Sequence, residues 1–118
     1  MRRILLARHG QTAWNALGRL QGHTDIELDD TGRAQAKDLA RTLAAAGVTR
    51  VWSSDLARAR ETAAIVAAEL GLPPPEVDAE LRERKFGVFE GLTRDQCVAQ
   101  HPEAWRAWVA QTGHPPGG

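Results

Sequence analysis

Short apolar runs along the chain predict three strands. Residues 4–7 form a continuous apolar run, which is typical of a strand buried on both faces of a parallel sheet. Residues 48–53 predict a second strand. The stiff proline link at residues 73–75 can deliver Val77 into a third.

Apolar residues at helical spacing predict helices between these strands. The first is capped by Asp30 or Thr31 and ends at Gly47. The second starts at a cap, Ser54 or Asp55, and runs through residue 70. Strands that alternate with helices over short links predict an α/β fold with a parallel sheet.

The rest of the chain is divided by turn and cap signals. Residues 13–30 lack a sustained period and are predicted to be a loop. Thr93 is expected to cap a helix that contains Cys97, and a further helix is expected to start at Pro102. The three-residue spacing of Trp105 and Trp108 on that helix is typical of a packing stripe.

Composition narrows the class of protein. A chain of 118 residues fits one domain. Lys+Arg and Asp+Glu number 15 each, so no net charge attracts nucleic acid or a membrane surface. The single cysteine excludes an internal disulfide. Because no run is long enough to cross a membrane, we expect a cytoplasmic protein that binds neither nucleic acid nor membrane.

Candidate chemistry begins where the first predicted strand ends. Arg8 and His9 fall at its carboxyl end, which faces the ligand crevice in open α/β sheets, and Gly10 permits close approach of a ligand to the backbone. The alternative is a surface Arg-His pair that closes an ordinary strand. Arg58, in the first turn of the second helix, leans toward the same rim.

The helix dipole disfavours a cation in a first turn, so Arg58 indicates a bound anion beside it. The alternative for this residue is an exposed arginine paired with Asp55 or Glu61. Glu83 lies among three cations and can enter the crevice as a buried proton donor. The alternative is an exposed charge run.

Two loop features have weaker chemical signals. Asn15 can point back toward an anion near His9, although a loop asparagine is also a common turn residue. The polar stretch at residues 21–25 can line the mouth of the crevice. His23 and Asp25 within it are two possible metal ligands without a third.

Four blocks taken together resemble the histidine phosphatase superfamily, in its phosphoglycerate-mutase-like branch. They are residues 6–15, 20–25, 53–63 and 81–87, the last followed by Glu90 and Gly91. This resemblance implies a three-layer α/β/α fold with a mostly parallel sheet. It also implies that His9 is a nucleophile that becomes phosphorylated and that Glu83 acts as acid and then as base.

The resemblance assigns the remaining site residues as well. Arg8 and Arg58 would hold the phosphoryl oxygens and Asn15 would help to position the group, while Gln21 and Arg84 match positions near the substrate in some members. No cofactor and no metal ion is implied. The expected partner is a small phosphorylated substrate, of sugar phosphate or phosphoglycerate type.

The resemblance implies a phosphomonoester hydrolase that works through phosphohistidine. A phosphoglycerate mutase is the alternative, since Arg84 looks mutase-like. The family's second active-site histidine, in a His-Gly context after Gly-Glu-Ser, has no match here, which leaves a non-catalytic phospho-ligand-binding module as a third hypothesis.

We therefore expect residues 1–118 to be one histidine-phosphatase-like domain, incomplete at the C-terminal side of its sheet. Alone it should be poorly stable and turn over little substrate. An apolar sheet edge beside the first strand should be exposed, and it could pair two copies as a homodimer.

Overall fold

The computed structural model describes residues 3–111, 113 and 115–118. Helices dominate, and two short 3₁₀ turns precede the last two helices. The elements in chain order are α1 (Ala13–Ala16), α2 (Asp30–Leu43), β1 (Trp52–Ser53), α3 (Ala57–Glu69), β2 (Glu76–Val77), 3₁₀ turns Ala79–Leu81 and Gly87–Phe89, α4 (Arg94–Gln100) and α5 (Pro102–Val109).

The sheet consists of β1 and β2, which pair in parallel with Trp52 opposite Glu76 and Ser53 opposite Val77. Helix α3 connects the two strands. This confirms the predicted α/β fold and its parallel pairing. The strand predicted over residues 48–53 is shorter than expected, because only its last two residues have a partner strand.

The strand predicted over residues 4–7 is wrong. No β-bridge in the described part of the chain involves these residues, and 88% of Ile4 and 94% of Leu6 is exposed. A strand requires a neighbour that pairs its backbone groups and covers its side chains. The described residues supply neither here, so the apolar run stays exposed.

Helices α2 and α3 pack against each other through small side chains, which allow close approach. Those that are buried include Ala36 and Ala40 on α2 and Ala63 and Ala67 on α3. The predicted helices are confirmed, except that α2 ends at Leu43, with Ala44 as its C-cap, rather than at Gly47.

The caps of these two helices differ from the prediction. Asp29, one residue earlier than expected, accepts from the Gly32 amide at 2.7 Å. Helix α3 has Leu56 at its N-cap and no cap bond from that side chain. Instead, Asp25 from a distant loop accepts from the Ala57 amide at 2.7 Å.

The segment expected to be a loop over residues 13–30 contains helix α1. Thr12 and Asn15 form a capping box that starts it. A capping box satisfies two amides of a helix start reciprocally, which makes even this four-residue helix favourable. Residues 17–29 lack helix and strand, as predicted, apart from single β-bridges, and Asp30 already begins α2.

The C-terminal helices are held by aromatic packing. Phe89 is fully buried, with its ring centroid 5.4 Å from that of Trp105 and 5.7 Å from that of Trp108. The predicted packing stripe is therefore confirmed, as are Thr93 as the cap of α4 and Pro102 as the start of α5. Cys97 is buried, and burial raises the pKa of its thiol.

The molecule is a thin slab of 48 × 32 × 19 Å. Its radius of gyration, 16.2 Å, exceeds the roughly 13–14 Å of a compact domain of this length. Within the described residues, no helix combines the length and the apolar character needed to cross a membrane. The core is consequently shallow, and it lies mainly between α2 and α3 and around Phe89.

Candidate active site

The turn after His9 is fastened to both large helices. The Gly10 amide donates to the Thr62 hydroxyl on α3 at 3.0 Å, and that hydroxyl donates to the Arg58 carbonyl at 2.7 Å. On the other side, a Cβ at Gly10 would lie 2.3 Å from the Gly32 carbonyl oxygen on α2. Only glycine permits this approach of two backbones.

The environment of His9 selects its tautomer. Its Nδ1 lies 2.6 Å from the Gly10 carbonyl oxygen. Since a carbonyl only accepts, Nδ1 must carry the proton, which leaves a lone pair on Nε2 in the neutral ring. Partial burial lowers the pKa of His9, and the charges of Arg58 and Arg8 lower it further, against the Gly10 bond and Glu83.

Arg58 lies in the first turn of α3, as predicted, but it is almost fully buried. Its Nη1 donates to the Thr24 carbonyl at 2.8 Å and its Nη2 donates to the Gly22 carbonyl at 2.5 Å. Burial lowers the pKa of Arg58, while Glu83, Asp25 and Glu90 raise it. The loop over residues 22–24 thus fixes the orientation of the guanidinium beside His9.

The alternative of an exposed Arg58 paired with Asp55 or Glu61 is wrong. Asp55 accepts a two-pronged bond from Arg82, with both N–O distances at 2.6 Å. Glu61 accepts from Arg33 of α2 at 2.5 Å. Both candidate partners of Arg58 are therefore bound to other arginines.

The segment that carries Glu83 is held at several points, but the Glu83 side chain is exposed. The Glu83 carbonyl lies 2.6 Å from His23 Nε2, and its carboxylate accepts from the Arg84 amide at 2.9 Å. Arg82 anchors the segment to Asp55. The burial predicted for Glu83 is wrong, because the described residues leave its carboxylate facing solvent.

Asn15 and Gln21 both hydrogen-bond to the buried Thr12 side chain; Gln21 is itself buried, whereas Asn15 is exposed. The Asn15 Oδ1 accepts from the Thr12 amide at 3.0 Å, and the Thr12 hydroxyl lies 2.7 Å from Gln21 Oε1. Asn15 is therefore a helix-capping residue. Its assignment to an anion, like that of Gln21 to the substrate, remains a prediction.

The two other predicted arginines lie on the surface. Arg8 is exposed and lowers the pKa of His9 through its charge. Arg84 is exposed, with its guanidinium 5.8 Å from the ring centre of Trp108. Both side chains keep the rotational freedom to meet a ligand.

His23 and Asp25 do not form a metal centre in the described part of the chain. His23 faces the Glu83 carbonyl, and Asp25 caps α3. Among residues 3–111, 113 and 115–118, no group of three or more His, Cys, Asp or Glu side chains could hold a metal ion.

Several residues that shape the site were not singled out by the sequence. Thr62 follows Arg58 by one helical turn, a signal that could have placed it near Gly10. Gly32 interrupts the first turn of a helix, which indicates a close contact. Glu90 gave no local signal for its contacts, since its partners lie on loops far apart in sequence.

Within this parallel α/β fold, the charges of Arg58 and Arg8 lie close enough to His9 to lower its pKa. The family model of the histidine phosphatase superfamily (branch 1) matches residues 4–118. The chain therefore belongs to this superfamily, as the four motif blocks predicted.

Similar proteins include both mutase-like and phosphatase members. The chain is 44% identical over 106 residues to phosphoglycerate mutase-like protein 4 of Arabidopsis thaliana, covering 89% of the chain and 46% of that protein. It is 42% identical over 107 residues to glucosyl-3-phosphoglycerate phosphatase of Mycobacterium tuberculosis, covering 91% and 48%.

Solved structures agree with this assignment. The mycobacterial glucosyl-3-phosphoglycerate phosphatase in complex with VO3 superimposes with a TM-score of 0.82 at 40% identity, covering 92% of this chain and 52% of that one. The chain spans about half the length of the curated relatives it matches.

Proposed function

We propose that the chain contributes His9 as the nucleophile of a phosphomonoester hydrolase, which forms a phosphohistidine on a small phosphorylated metabolite without a metal ion. The observation that carries this proposal is the bond from His9 Nδ1 to the Gly10 carbonyl. It leaves Nε2 unprotonated in the neutral ring. An unprotonated imidazole nitrogen is the form that attacks phosphorus.

In the first step, Nε2 forms a bond to phosphorus while the ester P–O bond breaks. Two of the N–H donors of Arg58 hold the loop carbonyls. A guanidinium has five N–H donors, so its remaining donors and charge can stabilise the phosphoryl oxygens. Arg8, at the surface, supplies a second guanidinium for the phosphoryl oxygens.

Glu83 is proposed to give its proton to the leaving oxygen and then to accept one from the attacking water. The incoming water breaks the N–P bond and releases phosphate, which restores neutral His9. The exposure of Glu83 suits this role, since its carboxylate can exchange the Arg84 amide for the leaving group. Its carbonyl stays bound to His23 throughout.

The relatives support a substrate of phosphoglycerate type. The mycobacterial glucosyl-3-phosphoglycerate phosphatase supports the hydrolase hypothesis, and the Arabidopsis phosphoglycerate mutase-like protein 4 supports the mutase alternative. The exposed Arg84 beside Trp108 favours neither. A requirement for 2,3-bisphosphoglycerate would identify a mutase, whereas steady release of inorganic phosphate without it would identify a hydrolase.

The direct test is phosphoryl uptake by the chain from phosphoramidate, measured by intact mass. We expect the wild-type chain to gain the mass of one phosphoryl group and to lose it in mild acid. The His9→Ala variant should take up the phosphoryl group at least about a thousandfold more slowly. His101→Asn is the matched control, because this histidine packs against Phe89. It should label like the wild type.

Two outcomes would contradict the proposal. Uptake that persists in His9→Ala would place the phosphoryl group elsewhere. Saturable binding of inorganic phosphate with no covalent uptake would instead support a non-catalytic phospho-ligand-binding module.

A further inference from the structure

Two loops of the site meet at one partly buried carboxylate, that of Glu90. Its Oε1 accepts from the Thr24 amide at 2.9 Å and from the Thr24 hydroxyl. Its Oε2 accepts from the amides of Phe86 and Gly87, both at 3.1 Å. Each oxygen thus holds a different loop, and the carboxylate bridges them.

The fit of this carboxylate depends on Gly22. A Cβ at Gly22 would lie 2.8 Å from Glu90 Oε2 and 2.9 Å from the Phe86 amide nitrogen. Gly22 also has a φ of +55°, where other residues are strained. The loop is therefore shaped to lie directly against the Glu90 side chain.

One bridged loop orients Arg58 and the other ends the segment that contains Glu83, the two charged groups proposed for the reaction. The Gly22 and Thr24 carbonyls receive the Arg58 guanidinium. Phe86 and Gly87 end the segment in which Glu83 lies. A displacement of either loop would move Arg58 or Glu83 relative to His9.

The carboxylate is held in its charged form. Burial acts to raise the pKa of Glu90, but the bonds from Thr24, Phe86 and Gly87 outweigh it and lower the pKa. A neutral amide in its place cannot accept at both ends.

We propose that Glu90 is a positioning residue of the phosphoryl-transfer site, which fixes the Gly22–Thr24 loop that orients Arg58 to the segment that carries Glu83. This role rests on the proposed function. Glu90 accepts hydrogen bonds from Thr24, Phe86 and Gly87 and acts on the reaction through Arg58 and Glu83.

Glu90→Gln tests the bridge with almost no change in shape. Its single carbonyl oxygen can serve Thr24 or the Phe86–Gly87 pair, so the other loop faces an amide donor. We expect faster hydrogen exchange at the released amides and phosphoryl uptake slowed by about tenfold or more. Glu80→Gln, at an exposed glutamate, is the matched control and should behave like the wild type.

The His9 titration, followed by NMR, separates positioning from general loosening. Arg58 lowers the pKa of His9, so a displaced Arg58 should let that pKa rise in Glu90→Gln. The loss of a negative charge by itself would lower the pKa. A rise therefore reports movement of Arg58.

Glu90→Asp is the second variant, should Glu90→Gln fail to fold. It keeps the charge but is one methylene shorter, so it cannot reach both loops, and we expect the same direction of change. Wild-type amide exchange, uptake and His9 titration in the folded variants would overturn the positioning role. If the wild type itself takes up no phosphoryl group, the proposed function fails. Amide exchange and the His9 titration would still test whether Glu90 links the two loops.

Discussion

Residues 4–7 and residues 8–12 are adjacent in the chain but differ in burial. The first segment is apolar and exposed, with 94% of Leu6 accessible. The second is polar at its centre, yet Gly10 and Thr12 are buried. From hydrophobicity alone, residues 4–7 would be expected to be buried and residues 8–12 to be exposed.

The difference lies in where each segment finds its partners. The turn at Gly10 and Gln11 is fastened by Thr62, Gly32 and Asp29, all within the described chain. The apolar run needs a neighbouring strand on its backbone edge and cover on its side chains. An apolar run therefore forms a strand only where the fold supplies such a neighbour.

The largest effect expected from this comparison is on stability, in two leucine truncations. Leu28 pairs with Thr12 in an antiparallel bridge and is 3% exposed. Leu28→Ala should lower the free energy of unfolding by about 2–5 kcal/mol, whereas Leu6→Ala should change it by less than about 0.5 kcal/mol. Urea unfolding measures both, and an equal loss would show that residues 4–7 are buried in solution.

A smaller effect is expected at the contact between the turn and α2. A Cβ at Gly32 would lie 2.1 Å from the Gln11 carbonyl oxygen, so Gly32→Ala must displace the turn at a cost of about 3 kcal/mol. Gly113→Ala is the control, because its Cβ would make an ordinary 3.5 Å contact with Ala107. Unchanged urea midpoints in Gly32→Ala would refute the close packing.

The contact with α3 should contribute less. Thr62→Val keeps the shape but removes the acceptor of the Gly10 amide, which should cost about 1–2 kcal/mol. Thr42→Val is its match, since that hydroxyl bonds a carbonyl on the exposed face of α2, and it should cost less than about 0.5 kcal/mol. Thermal unfolding compares the two, and equal losses would count against the Gly10 bond.

The mildest perturbation is a change of pH. Because burial and the charges of Arg58 and Arg8 hold the pKa of His9 below its usual 6.5, the neutral ring persists as pH falls through 6.5. Phosphoryl uptake should therefore also persist just below pH 6.5, and it should decline only as the pH falls through the lowered pKa of His9. Arg8→Gln should raise this pKa, and Arg3→Gln, farther along the exposed segment, should not. An NMR midpoint of His9 at or above 6.5 would contradict the assignment.

Much of the secondary structure was predictable because its causes are local. The periodicity of α2 and α3, the cap at Thr93 and the proline at the start of α5 all act within a few residues. The cap of α3 was not predictable, since Asp25 reaches Ala57 across 32 positions. The burial predicted for Glu83 failed for a similar reason, because side-chain burial depends on distant segments.

The sequence by itself determined the family, helices α2 to α5 and the presence of His9, Arg58 and Glu83 in recognisable blocks. Only the tertiary structure decided that Arg58 is turned by the carbonyls of Gly22 and Thr24 and that Glu90 bridges the loops on either side of the site. The reason is physical. Helix periodicity and capping are short-range, whereas a buried charge is oriented by whichever distant backbone groups the fold brings within hydrogen-bond distance.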